Sequence, residues 1–360
     1  MKTVFNAAHA THAPTHEFFR GRLVPAFETP ARAEFLVAAL QGTPHAAAST
    51  PDGFVAPRDV GLAPLARVHD TAYLGFLQGA WDEWAAEAAA AGDTDPGAAF
   101  PAVWPVPGMR RDVVPANFAA RMGLYSMDSG TPLTAGSWAA AYGGAQAALT
   151  GLALLREGER AAYVLTRPPG HHAGANFFGG YCFVNNVAVA AQAALDGGAA
   201  KVAILDVDYH HGNGTQAIFY ERADVFFASI HGDPRTEYPF YLGHADERGA
   251  GAGLGFNLNL PLAAGSPVSD WFAALETALA ALQAWGPELL IVSLGVDTYA
   301  GDPISHFGLQ RPDFHALGRR LAAFGRPTLL VQEGGYATAD IGLNVRAVLD
   351  GFDGLPLAAA

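Results

Sequence analysis

Cysteine is almost missing from this chain. Cys182 is the only one in 360 residues, which excludes an internal disulfide, and its apolar neighbours make it a core thiol rather than a nucleophile. Basic residues are also scarce: 21 Lys and Arg against 34 Asp and Glu give a formal charge of −13. That balance argues against nucleic acid as a partner and would tolerate a cationic ligand. No apolar stretch reaches the length of a membrane span, and residues 1–10 lack the charged start and apolar run of a signal peptide. A cytoplasmic protein without membrane contact is therefore expected. Internal repeats are absent.

Against these absences stand 51% hydrophobic residues and 42 glycines, enough to bury a large core in one α/β domain spanning residues 1–360. Short apolar runs at 162–166, 202–205, 225–229, 289–294 and 328–332 have strand length and suit burial on both faces. Between them, 138–157, 184–196, 268–285 and 312–324 have helical length. Strand alternating with helix predicts an open parallel sheet with helices on both faces. Residues 92–136 break this rhythm: they are rich in Pro and Gly and too long for an ordinary connection. Phe100, Trp104, Phe118, Met122, Leu124, Tyr125 and Met127 are too many large apolar residues for a disordered linker. An ordered insertion is expected, packed on the body, on a partner subunit or over the site. A helix over 66–91, carrying Trp81 and Trp84, precedes it.

The run Val202-Ala203-Ile204-Leu205 leads straight into Asp206-Val207-Asp208-Tyr209-His210-His211-Gly212-Asn213-Gly214. Alternate residues of a strand share a face, so Asp206, Asp208 and His210 can converge on one point. Taken singly, each has an ordinary reading as a solvated turn residue. Together, charges clustered at the end of a buried strand call for a cation to neutralise them. Similar polar motifs follow the other strands: Arg167-Pro168-Pro169-Gly170-His171-His172, Ser229-Ile230-His231, Gly295-Val296-Asp297 and Glu333-Gly334-Gly335-Tyr336. In a parallel sheet all these C-terminal ends share one edge, where such folds build their sites.

The chemistry follows from the residue types. Asp208, His210 and Asp297 offer three ligands, which leaves a fourth position open as in catalytic zinc sites. A divalent cation there would lower the pKa of water enough to make it a nucleophile near neutral pH. His171 and His172 are placed to exchange protons with that water and with a leaving amine. Tyr336, after two glycines, can donate a hydrogen bond to a developing oxyanion. The constellation describes metal-assisted amide hydrolysis.

These motifs, with Gly179-Gly180-Tyr181-Cys182-Phe183-Val184-Asn185-Asn186, Ser293-Leu294-Gly295-Val296-Asp297 and Asp302-Pro303-Ile304, resemble the arginase-deacetylase superfamily. Within it, the chain is most similar to histone deacetylase-like enzymes and acetylpolyamine amidohydrolases. The resemblance implies an arginase-deacetylase fold with a single parallel sheet of about eight strands. It assigns zinc to Asp208, His210 and Asp297, with Fe2+ or Co2+ able to use the same donors. It gives His172 the main acid and base role, His171 an electrostatic one, and Tyr336 the oxyanion. Asp206 orients His171 and, with Asp208, His210, Ser229 and Ile230, would hold a structural potassium ion. At Asn213 class I histone deacetylases carry aspartate; the amide here is like that of class II and polyamine enzymes, and should raise the pKa of His172 less than a carboxylate would.

For the substrate, the resemblance makes Tyr181 and Tyr238 the aromatic walls of a narrow channel, with Gly180 beside them. Polyamine enzymes add a long insertion and dimerise, and residues 92–136 fit that insertion, at a homodimer interface and the mouth of the site. Glu17 offers an acidic contact there. The acid that polyamine enzymes carry late in this loop is replaced by Gly130, while Asp128 is more like class II histone deacetylases. Three readings stay open: a deacetylase of acetylated polyamines or similar small amines, a protein acetyl-lysine deacetylase, and a non-catalytic ligand-binding or sensor protein. Arginase-like chemistry fits less well, since a two-manganese site needs more carboxylates than these motifs supply.

Overall fold

The computed structural model describes residues 1–46 and 53–358. Its strands are β1 (Lys2–Phe5), β2 (His16–Phe19), β3 (Arg22–Pro25), β4 (Ala161–Leu165), β5 (Val202–Asp206), β6 (Val225–Gly232), β7 (Asn257–Leu262), β8 (Leu289–Leu294) and β9 (Thr328–Gln332). Its helices are α1 (Ala31–Leu40), α2 (Thr71–Ala90), α3 (Phe118–Leu124), α4 (Ser137–Arg156), α5 (Asn186–Asp196), α6 (Asn213–Phe219), α7 (Val268–Trp285), α8 (Arg311–Ala323) and α9 (Thr338–Phe352). Seven strands form one sheet in the order β1-β4-β9-β8-β5-β6-β7, and β2 pairs with β3 in a separate hairpin. Every pairing in the large sheet is parallel. Among the described residues the sheet thus has seven strands, where about eight were expected.

The apolar runs form strands because both of their faces are covered. In β4, Ala161, Tyr163 and Leu165 pack into one core with α1, α7, α8 and α9. Ala162 and Val164 face the opposite core, built with α4 and α5. Each fully buried Leu, Ile or Val contributes about 1.5–3 kcal/mol. Local signals set the boundaries. Asn185 caps α5 by accepting a hydrogen bond from the Ala188 N–H at 3.0 Å, and α7 stops at Gly286 in the left-handed region, φ 73°. At α8, Pro312 stands in the first turn, and the Asp313 carboxylate accepts from the Gln310 N–H at 2.8 Å.

The helix expected over 66–91 begins at Thr71, after a short 3-10 turn at Leu65–Arg67. Within residues 92–136, Ala99 bridges to Leu133, and Ser126 bridges to Phe178 beside the site. Phe118 and Met122 are buried with Tyr73, Phe76 and Phe178 in a third core. No helix among the described residues is long and apolar enough to cross a membrane.

Candidate metal centre and active site

The three strands central to the site, β9, β8 and β5, lie side by side, and their C-terminal ends bring the motifs together. One donor atom from each of Asp208, His210 and Asp297 lies within 4.8 Å of the others, and all three residues are buried. His210 Nδ1 is 3.0 Å from Asp297 Oδ2 and 3.4 Å from Asp208 Oδ1. The remaining carboxylate oxygens are tied to the backbone: Gly334 N–H donates to Asp208 Oδ2 and Tyr209 N–H to Asp297 Oδ1, both at 2.7 Å. Gly334 must be glycine for that approach, because a Cβ there would sit 2.6 Å from Asp208 Oδ2 and 2.7 Å from Asp297 Oδ2. Burial, then the neighbouring Asp208, push the Asp297 carboxyl well above the usual carboxylate range. Two buried carboxylates and an imidazole crowded in this way are a poor arrangement alone and fit a divalent cation.

Beside the triad, the His171 and His172 rings lie 4.0 Å apart. His171 Nδ1 is 3.0 Å from Asp206 Oδ2. Burial opposes charge on His171, but the Asp208 and Asp206 carboxylates outweigh it and hold the imidazole up at about 10. His172 behaves oppositely: burial, then the charges of His171 and His210, hold it well below the ordinary histidine value. Its Nδ1 lies 2.6 Å from Asn213 Oδ1. An amide oxygen only accepts, so Nδ1 carries the proton and Nε2 keeps a free lone pair. Gly180, at φ 53°, lies so close to the His172 ring that a Cβ there would collide with it.

Above these groups opens a cleft of about 540 Å³ whose lining includes His172, His210, Gly180, Tyr181, Tyr238 and Tyr336. Tyr181 and Tyr336 meet edge to face at 5.6 Å, and Tyr238 stands over His172 at 5.0 Å. Asp128 also lines the cleft, with its carboxylate fully engaged. Oδ2 accepts from the Tyr238 hydroxyl at 2.6 Å and the Gly180 N–H at 2.7 Å; Oδ1 accepts from the Gly130 N–H and the Thr131 hydroxyl at 3.0 Å. Glu17 lies elsewhere than at the mouth. It is buried behind the wall, accepting from the Tyr181 hydroxyl at 2.7 Å and the Phe27 N–H at 3.0 Å. Burial raises its carboxyl to about 7. Asp206 and Ser229 are register partners in β5 and β6, with Ile230 next along.

Several residues of the site carried no role in the sequence reading. Arg32 spans Glu28 Oε1 at 2.8 Å, Gly335 O at 2.6 Å and Glu333 O at 2.5 Å, and its guanidinium lies 4.7 Å from the Tyr336 ring. Arg167 spans both oxygens of the Glu28 carboxylate, with Nε 2.8 Å from Oε1 and Nη2 2.5 Å from Oε2. Asp302 accepts from the Tyr336 N–H at 2.7 Å. Glu333 Oε2 accepts from the Gly170 N–H at 2.6 Å and the His171 N–H at 3.2 Å. Arg167, Asp302 and Glu333 lay inside motifs already noted, while Glu28 and Arg32 offered only charge four residues apart in apolar surroundings. His171, Cys182 and Glu333 also come within 4.8 Å of one another. Burial pushes the Cys182 thiol well up, leaving it a packed thiol.

The family described as the histone deacetylase domain matches residues 26–352. The chain belongs to that family. It is 50% identical to acetylpolyamine amidohydrolase 1 of Pseudomonas aeruginosa over 98% of this chain and 99% of the relative. It is 48% identical to the acetylpolyamine amidohydrolase of Mycoplana ramosa over 98% of this chain and 100% of the relative. The crystal structure of acetylpolyamine aminohydrolase from Burkholderia pseudomallei superposes with a TM-score of 0.89 at 41% identity, covering 99% of both chains.

Proposed function

We propose that this chain is an amidohydrolase that removes acetyl groups from acetylated polyamines and similar small aliphatic amines. The observation that carries it is the buried Asp208, His210 and Asp297 cluster beneath a cleft walled by Tyr181 and Tyr238. The near full-length likeness to enzymes named for acetylpolyamines supports the substrate class.

Asp208, His210 and Asp297 would hold zinc, with Fe2+ or Co2+ as alternatives for the same donors. When bound, such a cation polarises the acyl carbonyl and lowers the pKa of water. Asp206, Asp208, His210, Ser229 and Ile230 would hold potassium. His172 Nε2, free because Nδ1 faces Asn213, takes a proton from water and passes it to the amine nitrogen as the C–N bond breaks. His171, held charged by Asp206 and Asp208, favours negative charge developing next to it. The Tyr336 hydroxyl donates to the carbonyl oxygen as that charge grows. Tyr181, Tyr238 and Gly180 shape the walls of the channel, and Asp128 and Glu17 hold those walls by the bonds described above.

Residues 92–136 are the insertion, and they carry a set of side chains, Val103, Val106, Met109, Val113 and Val114, that are each more than half exposed. Five exposed apolar side chains within twelve residues suit a partner surface, and a second copy of the chain is the partner we assign. Zinc-loaded protein should release acetate from N-acetylputrescine and N-acetylcadaverine far faster than from an acetyl-lysine peptide. Equal or better rates on the peptide would favour a protein deacetylase, and binding without any turnover a sensor.

A further inference from the structure

The mouth of the cleft carries a charge that the polyamine reading leaves unused. The hairpin of β2 and β3 turns at Arg20 and Gly21, with Phe19 and Arg22 as the last register pair, and both turn residues line the cleft. Their φ values of 49° and 77° are those of a tight left-handed turn, for which Asn and Gly are the favoured residues. A long side chain at the first position is costly there, and unfavourable backbone of this kind clusters at functional sites. Arg20 is exposed. Its guanidinium lies 5.3 Å from the Phe19 ring centre, and no hydrogen bond or ion pair engages it among the described residues.

The acids near the mouth do not offset it. Asp128 spends both oxygens on Tyr238, Gly180, Gly130 and Thr131. Glu17 is buried behind Tyr181. Glu237 also lines the cleft but is buried, and the same added Cβ on Gly232 would touch both its Cγ and the Tyr209 ring. The exposed charge left at the entrance is therefore a guanidinium, whose planar fork of donors matches a carboxylate.

We infer that Arg20 is a specificity-determining residue, and that the same site also hydrolyses acetylated amines whose free end is a carboxylate, the ω-acetamido acids. This rests on the amidohydrolase reading above. The reaction is the same: the amide C–N bond breaks, water gives its oxygen to acetate and a proton to the amine nitrogen. Arg20 holds the far carboxylate and touches none of the reacting atoms.

The test pairs N-acetyl-ε-aminocaproate with N-acetylcadaverine, which carry equal methylene chains and opposite end charges, on wild type and Arg20→Gly. Glycine suits the turn, so folding is preserved. Wild type should turn over the carboxylate-ended amide. Arg20→Gly should raise KM for it about fivefold, leave kcat unchanged, and lower KM for N-acetylcadaverine. Turnover of N-acetylcadaverine alone by wild type, or an unchanged ratio of the two KM values in Arg20→Gly, overturns the inference. If neither amide is cleaved, the amidohydrolase reading falls instead. Calorimetric Kd values then decide the role of Arg20: a fivefold loss for the carboxylate-ended amide in Arg20→Gly supports it, and equal Kd values in both proteins overturn it.

Discussion

His172 Nδ1 and Asn213 Oδ1 face each other at 2.6 Å, both buried. The other end of the Asn213 amide is fixed as well, since its Nδ2 lies 3.2 Å from the Met127 sulfur. The group that orients His172 is neutral, and burial, then the charges of His171 and His210, keep the imidazole well below its ordinary pKa.

Replacing that amide by a carboxylate reverses the sign of the effect. In Asn213→Asp a negative charge next to Nδ1 favours the imidazolium, so the pKa of His172 rises. A base must be unprotonated to act, so the acid limb of kcat/KM should move to higher pH by about one unit. An acid limb at the wild-type position would show that His172 is not the titrating base.

The strands that carry the site were legible because they are buried on both faces: β4, β5, β6, β8 and β9 each carry a short apolar run, and a motif closes or follows it, within the strand itself for Ser229-Ile230-His231 of β6. The edge strands were not. β1 is four residues with Lys2 and Thr3, and β7 alternates asparagine with leucine and contains Pro261, so neither shows a continuous apolar run. α9 contains Gly342 and Gly351, poor helix formers that are needed where the backbones of α1 and α8 come close. In the site, residues adjacent to a strand end could be read from spacing. Arg32, Glu28 and Glu333 act across more than a hundred residues of sequence, and local patterning carries no trace of such contacts. Glu17 was expected at the mouth, but the β2 and β3 hairpin turns it inward and puts Arg20 at the entrance instead.

Tyr336 separates binding from chemistry. Its ring is held by Arg32 at 4.7 Å and its N–H by Asp302 at 2.7 Å, so Tyr336→Phe should keep the loop in place and lose only the hydroxyl. We expect kcat to fall about a hundred- to thousandfold, with the Kd for an acetylated amine within a few-fold of wild type. Single-turnover rates alongside calorimetry check this. Turnover close to wild type would remove Tyr336 from the reaction.

Glu28 is the hinge of a buried charge network, and its loss should cost stability before activity is considered. Burial works against its ionisation, but Arg167 and Arg32 outweigh it and lower the carboxyl from 4.5 to about 2. Glu28→Gln leaves two buried guanidinium groups short of a counter-charge, a change worth about 3–5 kcal/mol of unfolding free energy near pH 7. A carboxyl depressed in the folded state stabilises fully above its unfolded pKa. That contribution is lost as pH falls from 4.5 toward 2. The gap between wild type and Glu28→Gln in urea unfolding should thus narrow across that window. A gap that stays constant down to the acid end would mean that packing, not charge, holds the network.

The exposed apolar side chains of residues 103–114 are the surface on which a second copy would seat. Met109 is 61% exposed and Val106 52% exposed, so neither contributes much to the fold of an isolated chain. Met109→Glu and Val106→Glu should leave the thermal midpoint of the monomer within a degree or two, since surface changes are usually worth under about 0.5 kcal/mol. If a second copy covers this face, burying a carboxylate in that contact is costly, and the double variant should sediment as a monomer where wild type sediments as a dimer. Should wild type itself sediment as a monomer at micromolar concentration, the insertion has another partner or none, and the mouth of the cleft is shaped by this chain alone.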